Sequence, residues 1–247
     1  MRRVSSPHTM TYSFGPGPLS TAMKALIAAN VIVFLTQGLL PELQWWFGLM
    51  PVAVIPGLQL WQPFSYMFLH GGLFHLLFNM LALWMFGTEL ERMWGTRFFL
   101  KFYTVTGVGA GLVTVVFAWL PFEFAAELRH AIIIGASGAI FGLLLAYALY
   151  FPNRTIYLYF LFPIPVKYFV MIIGAISLYS SLGPSGGVAS VTHLGGLAVG
   201  YLYLKGARFH PLAELKYWYL RWRWYRTRRR FDVYTGGRSD EGNRRVH

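Results

Sequence analysis

The sequence predicts an all-α membrane protein, a bundle of six transmembrane helices with an interfacial loop between helices 1 and 2. Composition is the first observation. The 247 residues are 56% hydrophobic and only 12% charged, against about 25% charged in an ordinary soluble domain, and mean hydropathy is +0.48. The second is a set of six apolar stretches, near 21–40, 68–87, 98–120, 131–151, 164–182 and 188–205. Each approaches the roughly 20 residues a helix needs to cross about 30 Å of hydrocarbon. The third is that Lys and Arg gather in alternate connections.

Residues 1–20 precede the first stretch. With Arg2, Arg3, two Gly and three Pro, they read as a short flexible cytoplasmic arm. We expect no cleavable signal peptide, because the apolar run from Ala22 lacks a small-x-small cleavage site and reads as a first spanning helix. Between helices 1 and 2, Pro41–Met67 is apolar yet broken by Pro51, Pro56 and Pro63, so it cannot form one helix. Its Trp45, Trp46 and Trp61 suit a loop lying among the headgroups. Residues 21–205 make up the membrane domain and 206–247 a basic, aromatic cytoplasmic tail.

Charge sets the orientation. Arg2, Arg3 and Lys24 flank the start; Arg92, Arg97 and Lys101 follow helix 2; Arg154 and Lys167 follow helix 4. The opposite loops hold only Arg129, and the Gly183–Gly187 connection has no charge. The positive-inside rule then puts both termini in the cytoplasm, and a bacterial inner membrane is the expected location. The net charge is +12, with twelve Lys/Arg and four Asp/Glu from Lys205 onward. Within Lys216–Arg230, Trp and Tyr alternate with Arg. Beside a membrane helix this pattern points to anionic headgroups, with aromatics in the interface, rather than to nucleic acid. Gly236–His247 reads as disordered. With no cysteine in the chain, a Cys nucleophile, thiolate metal sites and disulfides are excluded.

Polar side chains inside the apolar stretches carry the functional reading, because such residues are costly in a bilayer. His70 and His75 fall early in helix 2, Ser137 early in helix 4 within Gly135-Ala136-Ser137-Gly138, and His193 early in helix 6. With the orientation above, all lie in the extracytoplasmic half. Ser137 is six residues from Ala131, about 9 Å of depth at 1.5 Å per residue. A serine becomes a nucleophile when a base takes its proton, and His is the usual base. All nine acidic residues lie outside the predicted helices or near their ends, which leaves a Ser137–His193 dyad without an orienting carboxylate.

Two glycine pairs, Gly138/Gly142 and Gly196/Gly200, form small-xxx-small faces that let helices 4 and 6 approach closely. Phe141 lies one turn beyond Ser137, ready to pack on the imidazole. His75 and Asn79 share a face of helix 2, and with the Ser137 backbone N–H they can supply oxyanion donors. His70, about 140° further round that helix, is expected at its mouth, positioning the loop.

His70-x4-His75-x3-Asn79, then Gly-x-Ser-Gly at 135–138, then His193-x2-Gly196-x3-Gly200 resemble the rhomboid intramembrane serine proteases. The resemblance covers about Pro18–Lys205, and Glu89-x-Glu91-Arg92 with Trp94-Gly95 is similar to the family's segment after helix 2. It implies a six-helix rhomboid-like bundle, Ser137 as nucleophile and His193 as base. It also implies an oxyanion hole of His75, Asn79 and the Ser137 amide, and membrane-spanning protein substrates cut near their extracytoplasmic ends. Gly135, Gly138, Gly196, Gly200, His70 and Phe141 take supporting roles. Two positions depart from the family pattern: Trp61-Gln62 stands where a Trp-Arg pair is usual, and Phe141 where some members carry Tyr.

The alternative is a proteolytically inactive relative that binds transmembrane helices as a chaperone or sorting factor. No cofactor is expected. A metal site using His70, His75 and His193 lacks the His-Glu-x-x-His signature and any nearby carboxylate. The Gly183-Pro184-Ser185-Gly186-Gly187 loop has the composition of a flexible lid over His193.

Overall fold

The computed structural model describes residues 16–121, 123–158, 162–181 and 187–208. The residue 1–15 part of the N-terminal arm, the Gly183–Gly186 part of the expected lid and the Lys216–Arg230 and Gly236–His247 tail segments lie outside the described residues.

Helix α1, Thr21–Leu39, is opened by Ser20, whose hydroxyl accepts the Met23 N–H at 3.0 Å, the usual satisfaction of a free N-terminal donor. Its buried residues are Met23, Asn30 and Gln37, spaced by seven. That spacing is close to two turns, so one stripe, flanked by partly buried Leu26, Ile27 and Phe34, meets the bundle.

The loop that follows is broken into short pieces: α2 (Leu43–Phe47), α3 (Pro51–Val54), α4 (Gln62–Ser65) and a 3-10 turn over Tyr66–Phe68. Proline starts α3 and lies in the first turn of α4, where its missing N–H has no helical partner to lose. Gln62 is fully buried. It accepts the Met50 N–H at 2.9 Å and donates to Gln59 Oε1 at 2.7 Å and the Trp45 carbonyl at 3.4 Å. At the position that departs from the usual Trp-Arg pair, the amide thus ties three parts of the loop together. Trp45, Trp46 and Trp61 remain exposed.

The second long helix runs from Leu73 to Trp94 as α5 (Leu73–Ala82), a π-helical turn (Leu83–Gly87) and α6 (Thr88–Trp94). It starts and ends later than the 68–87 predicted. Its last turns carry charge that is satisfied mostly by distant parts of the chain. Glu91 is buried and accepts from Ser20 Oγ at 2.6 Å and Thr96 Oγ1 at 2.7 Å. Arg92 donates to the carbonyls of Pro16 and Pro18. Glu89 accepts from Tyr147 OH at 2.7 Å and pairs with Arg154 at 2.8 Å.

Helix α7, Thr96–Ala118, is central to the bundle. A short helix not foreseen, α8 (Glu123–His130), follows. From it Arg129 donates to the Ala118 carbonyl at 2.8 Å, satisfying a free acceptor at the end of α7. Helix α9, Ser137–Tyr150, begins six residues later than the 131–151 predicted. The preceding segment is held extended instead: Leu49 and Ile133 exchange backbone hydrogen bonds at 2.9 and 2.8 Å.

A further correction concerns the all-α expectation. After α9, β1 (Thr155–Leu158) pairs antiparallel with β2 (Phe162–Pro165). β-Branched and aromatic residues fit a pleated hairpin, and its prolines exclude a helix. Helices α10 (Val166–Ser181) and α11 (Gly187–Arg208) complete the order. Among the described residues, α1, α5–α6 and α7 are long and apolar enough to cross a membrane.

Candidate active site

The turn before α9 fixes its start. Gly135 has φ +126°, a conformation L side chains rarely adopt, and its N–H donates to the Tyr66 carbonyl at 2.9 Å. Ser137 is the first residue of α9. It therefore stands where backbone N–H groups lack intrahelical partners and the helix dipole is positive. The apolar pattern predicts Ser137 inside a spanning helix; the structure puts it at a helix mouth.

Helix α11 lies directly on α9. A methyl group on Gly196 would collide with the Gly138 carbonyl oxygen, and one on Gly200 would sit 3.0 Å from Gly142 Cα. Thr192 on the same helix shares a buried hydroxyl–hydroxyl hydrogen bond of 2.8 Å with Thr114 on α7. This contact fixes the position of the next residue, His193, whose Nε2 lies 2.8 Å from Ser137 Oγ. The Phe141 ring stacks on the imidazole at 4.1 Å between centroids and 6° between planes. If Nε2 accepts the serine proton, the neutral imidazole carries its own proton on Nδ1.

His75, the third residue of α5, accepts the Gly71 N–H through Nδ1 at 3.2 Å. That bond leaves the proton on Nε2. The Nε2–Cε1 edge lies against Gly135, where an added Cβ would be only 2.8 Å from both atoms. Asn79 is buried and donates one amide proton back to the His75 carbonyl at 2.8 Å, with its second amide proton still available.

His70 precedes the helix instead of lying within it. It is fully buried, with Nδ1 3.3 Å from the Phe68 carbonyl and its ring edge-on to His75 at 5.1 Å. It makes no hydrogen bond to Ser137 or His193 among the described contacts. Among the described residues, no carboxylate bonds His193, and no group of three His, Asp or Glu side chains is arranged to hold a metal ion.

Two residues that hold this site were not singled out in the sequence. Gln37 on α1 donates to the His70 carbonyl and accepts the His70 N–H at 3.1 Å. A polar residue in an apolar helix is the signal that could have found it. Tyr66 is fully buried, bonds the Gly107 carbonyl at 2.7 Å and holds Gly135 through its own carbonyl. Nothing in its local sequence marks it.

The fold is thus a helical membrane bundle with a hydrogen-bonded Ser–His pair at one end. The Rhomboid domain family matches residues 57–207, more than half of the chain, and the chain belongs to the rhomboid family. It is 36% identical to RHOMBOID-like protein 4 of Arabidopsis thaliana over 156 residues, covering 63% of this chain and 36% of the relative. Against Rhomboid protein 1, mitochondrial, of Saccharomyces cerevisiae, identity is 36% over 142 residues, covering 55% and 38%. Against Rhomboid protease GluP of Bacillus subtilis it is 39% over 98 residues, covering 40% and 17%. The chain spans little more than a third of the length of the first two relatives.

Proposed function

We propose that the chain is an intramembrane serine endopeptidase that cleaves transmembrane protein substrates near the extracytoplasmic side. The observation that carries this reading is the 2.8 Å contact between His193 Nε2 and Ser137 Oγ, at a helix mouth and with Phe141 stacked on the imidazole. In this reading His193 takes the Ser137 proton as Oγ attacks the scissile carbonyl, then returns it to the leaving amine. Water, activated by the same imidazole, resolves the acyl-enzyme. The oxyanion receives the Ser137 backbone N–H, the His75 Nε2–H and the free Asn79 amide proton. Phe141 holds the imidazole plane, work a third catalytic group does elsewhere.

The remaining assignments belong to the same proposal. Helices α9, α10 and α11 are the fourth, fifth and sixth spans, and the loop from α2 to α4 rests in the interface. Both termini are cytoplasmic, and the membrane is a bacterial inner membrane. The basic tail lies on anionic headgroups. A helical substrate must unwind locally, because its peptide bonds are hydrogen-bonded within the helix.

Fluorophosphonate labelling of the purified protein in detergent tests the reading. We expect labelling of the wild type, none in Ser137→Ala and a sharp fall in His193→Ala. A folded wild type that resists a small probe would favour the inactive helix-binding alternative.

A further inference from the structure

We propose that the β1–β2 hairpin is a lipid-interface anchor, seating Tyr157 and Phe162 in the leaflet opposite the Ser137 end of the bundle. From Thr155 to Pro165 there is no charged residue, yet Tyr157 is 64% and Phe162 65% exposed. Apolar surface left open in this way marks an interaction site.

The pairing accounts for the exposure of Tyr157; Phe162, which alternation puts on the Ile156 face, is exposed at the end of β2 remote from the hairpin's base. Directly opposed residues point to the same face of a hairpin, so Ile156 and Ile164 share one face and Tyr157 and Pro163 the other. Ile156 packs against the core, which turns Tyr157 outward. The base is closed by Val166 N–H to the Arg154 carbonyl at 2.9 Å and Lys167 N–H to the Pro152 carbonyl at 3.3 Å. The hairpin is therefore fixed to the ends of α9 and α10. It follows the C-terminal end of α9, whose 14 residues put it about 21 Å along the axis from Ser137.

Depth follows from the backbone. A two-stranded hairpin leaves outer N–H and C=O groups unpaired, which hydrocarbon does not tolerate. Pro163 and Pro165 remove two donors and blunt β2 against pairing with another strand, which favours lipid over a second copy. At the base, Arg154 is half-exposed beside Glu89, and Lys167 bonds Asn153 at 2.9 Å. Both cations suit headgroup phosphates. Exposed aromatic side chains on a hairpin with cations at its base match a headgroup-level seat about 5–10 Å into the headgroup–acyl boundary.

The cysteine-free chain makes the test direct. Tyr157→Cys, Phe162→Cys and Asn153→Cys are each spin-labelled in phosphatidylcholine–phosphatidylglycerol vesicles. Collision with oxygen is then compared with collision with a water-soluble nickel chelate present on both sides of the bilayer. Oxygen should dominate at 157 and 162, with a fitted depth of about 5–10 Å, and nickel should dominate at 153. Nickel dominance at 157 or 162 overturns the proposal. So does protection from both reagents, whether a second copy (seen as dipolar broadening) or the chain's own fold provides it. The readout uses no proteolysis, so an inactive protein would leave it intact.

Discussion

Gln37 grips His70 by both backbone groups, donating to its carbonyl and accepting its N–H. A single amide on α1 therefore sets the loop from which α5 departs, and with it the position of His75. The relationship crosses 33 residues of sequence and joins two elements that share no motif.

Replacing that amide tests the link. Gln37→Leu leaves a buried N–H and a buried carbonyl without partners, each worth about 1–3 kcal/mol. We expect a lower unfolding temperature in detergent and a fall in turnover larger than any change in KM. Unchanged turnover would separate the clamp from the site.

The oxyanion assignment predicts a kinetic signature. His75→Ala and Asn79→Ala should each lower kcat by about 10²–10³-fold with little change in KM, as loss of a transition-state donor does. Cleavage of a model transmembrane substrate measures this. An effect confined to KM would move both residues into substrate binding.

Close helix contact at Gly196 predicts intolerance of one methyl group. Gly196→Ala must displace α11 from α9, since the obstacle is backbone, and overpacking of this kind costs about 1–3 kcal/mol. Fluorophosphonate labelling should fall with stability. Gly38→Ala is the control: nothing lies within 4 Å of its added Cβ, and a helical Gly-to-Ala change is expected to stabilise by about 0.5–1 kcal/mol.

The far end of the bundle should be separable from the chemistry. Glu89→Gln removes the ion pair with Arg154 while keeping an acceptor for Tyr147. Because Arg154 is half-exposed, solvent screens the pair, and we expect a loss of about 1 kcal/mol or less in thermal unfolding. The labelling rate of Ser137 at a temperature where both forms are folded should not change.

The residues of the candidate site could be named from sequence because their chemistry is conspicuous against its background. Histidine and serine in apolar stretches have few bland explanations, and glycines spaced by four announce a close helix contact. Helix centres were legible for the same reason, since about 20 apolar residues specify a span without reference to any partner. Ends were less legible. The apolar stretch predicts an end at 87, yet the helix continues to Trp94, where Glu89 finds Tyr147 and Arg154 and Glu91 finds Ser20 and Thr96.

Sequence by itself determined the apolar character, the long helices and the residue types available for chemistry, because these follow from local composition and periodicity. Tertiary structure decided what depends on contacts between distant segments. Leu49 against Ile133 and the Tyr66 carbonyl on Gly135 make α9 begin at Ser137 instead of at residue 131. The hydroxyl contact of Thr192 with Thr114 sets how α11 sits against α7, and the Gln37 amide on His70 sets the loop from which α5 departs. Each is a hydrogen bond or steric contact between parts of the chain whose separation in sequence carries no trace of their separation in space.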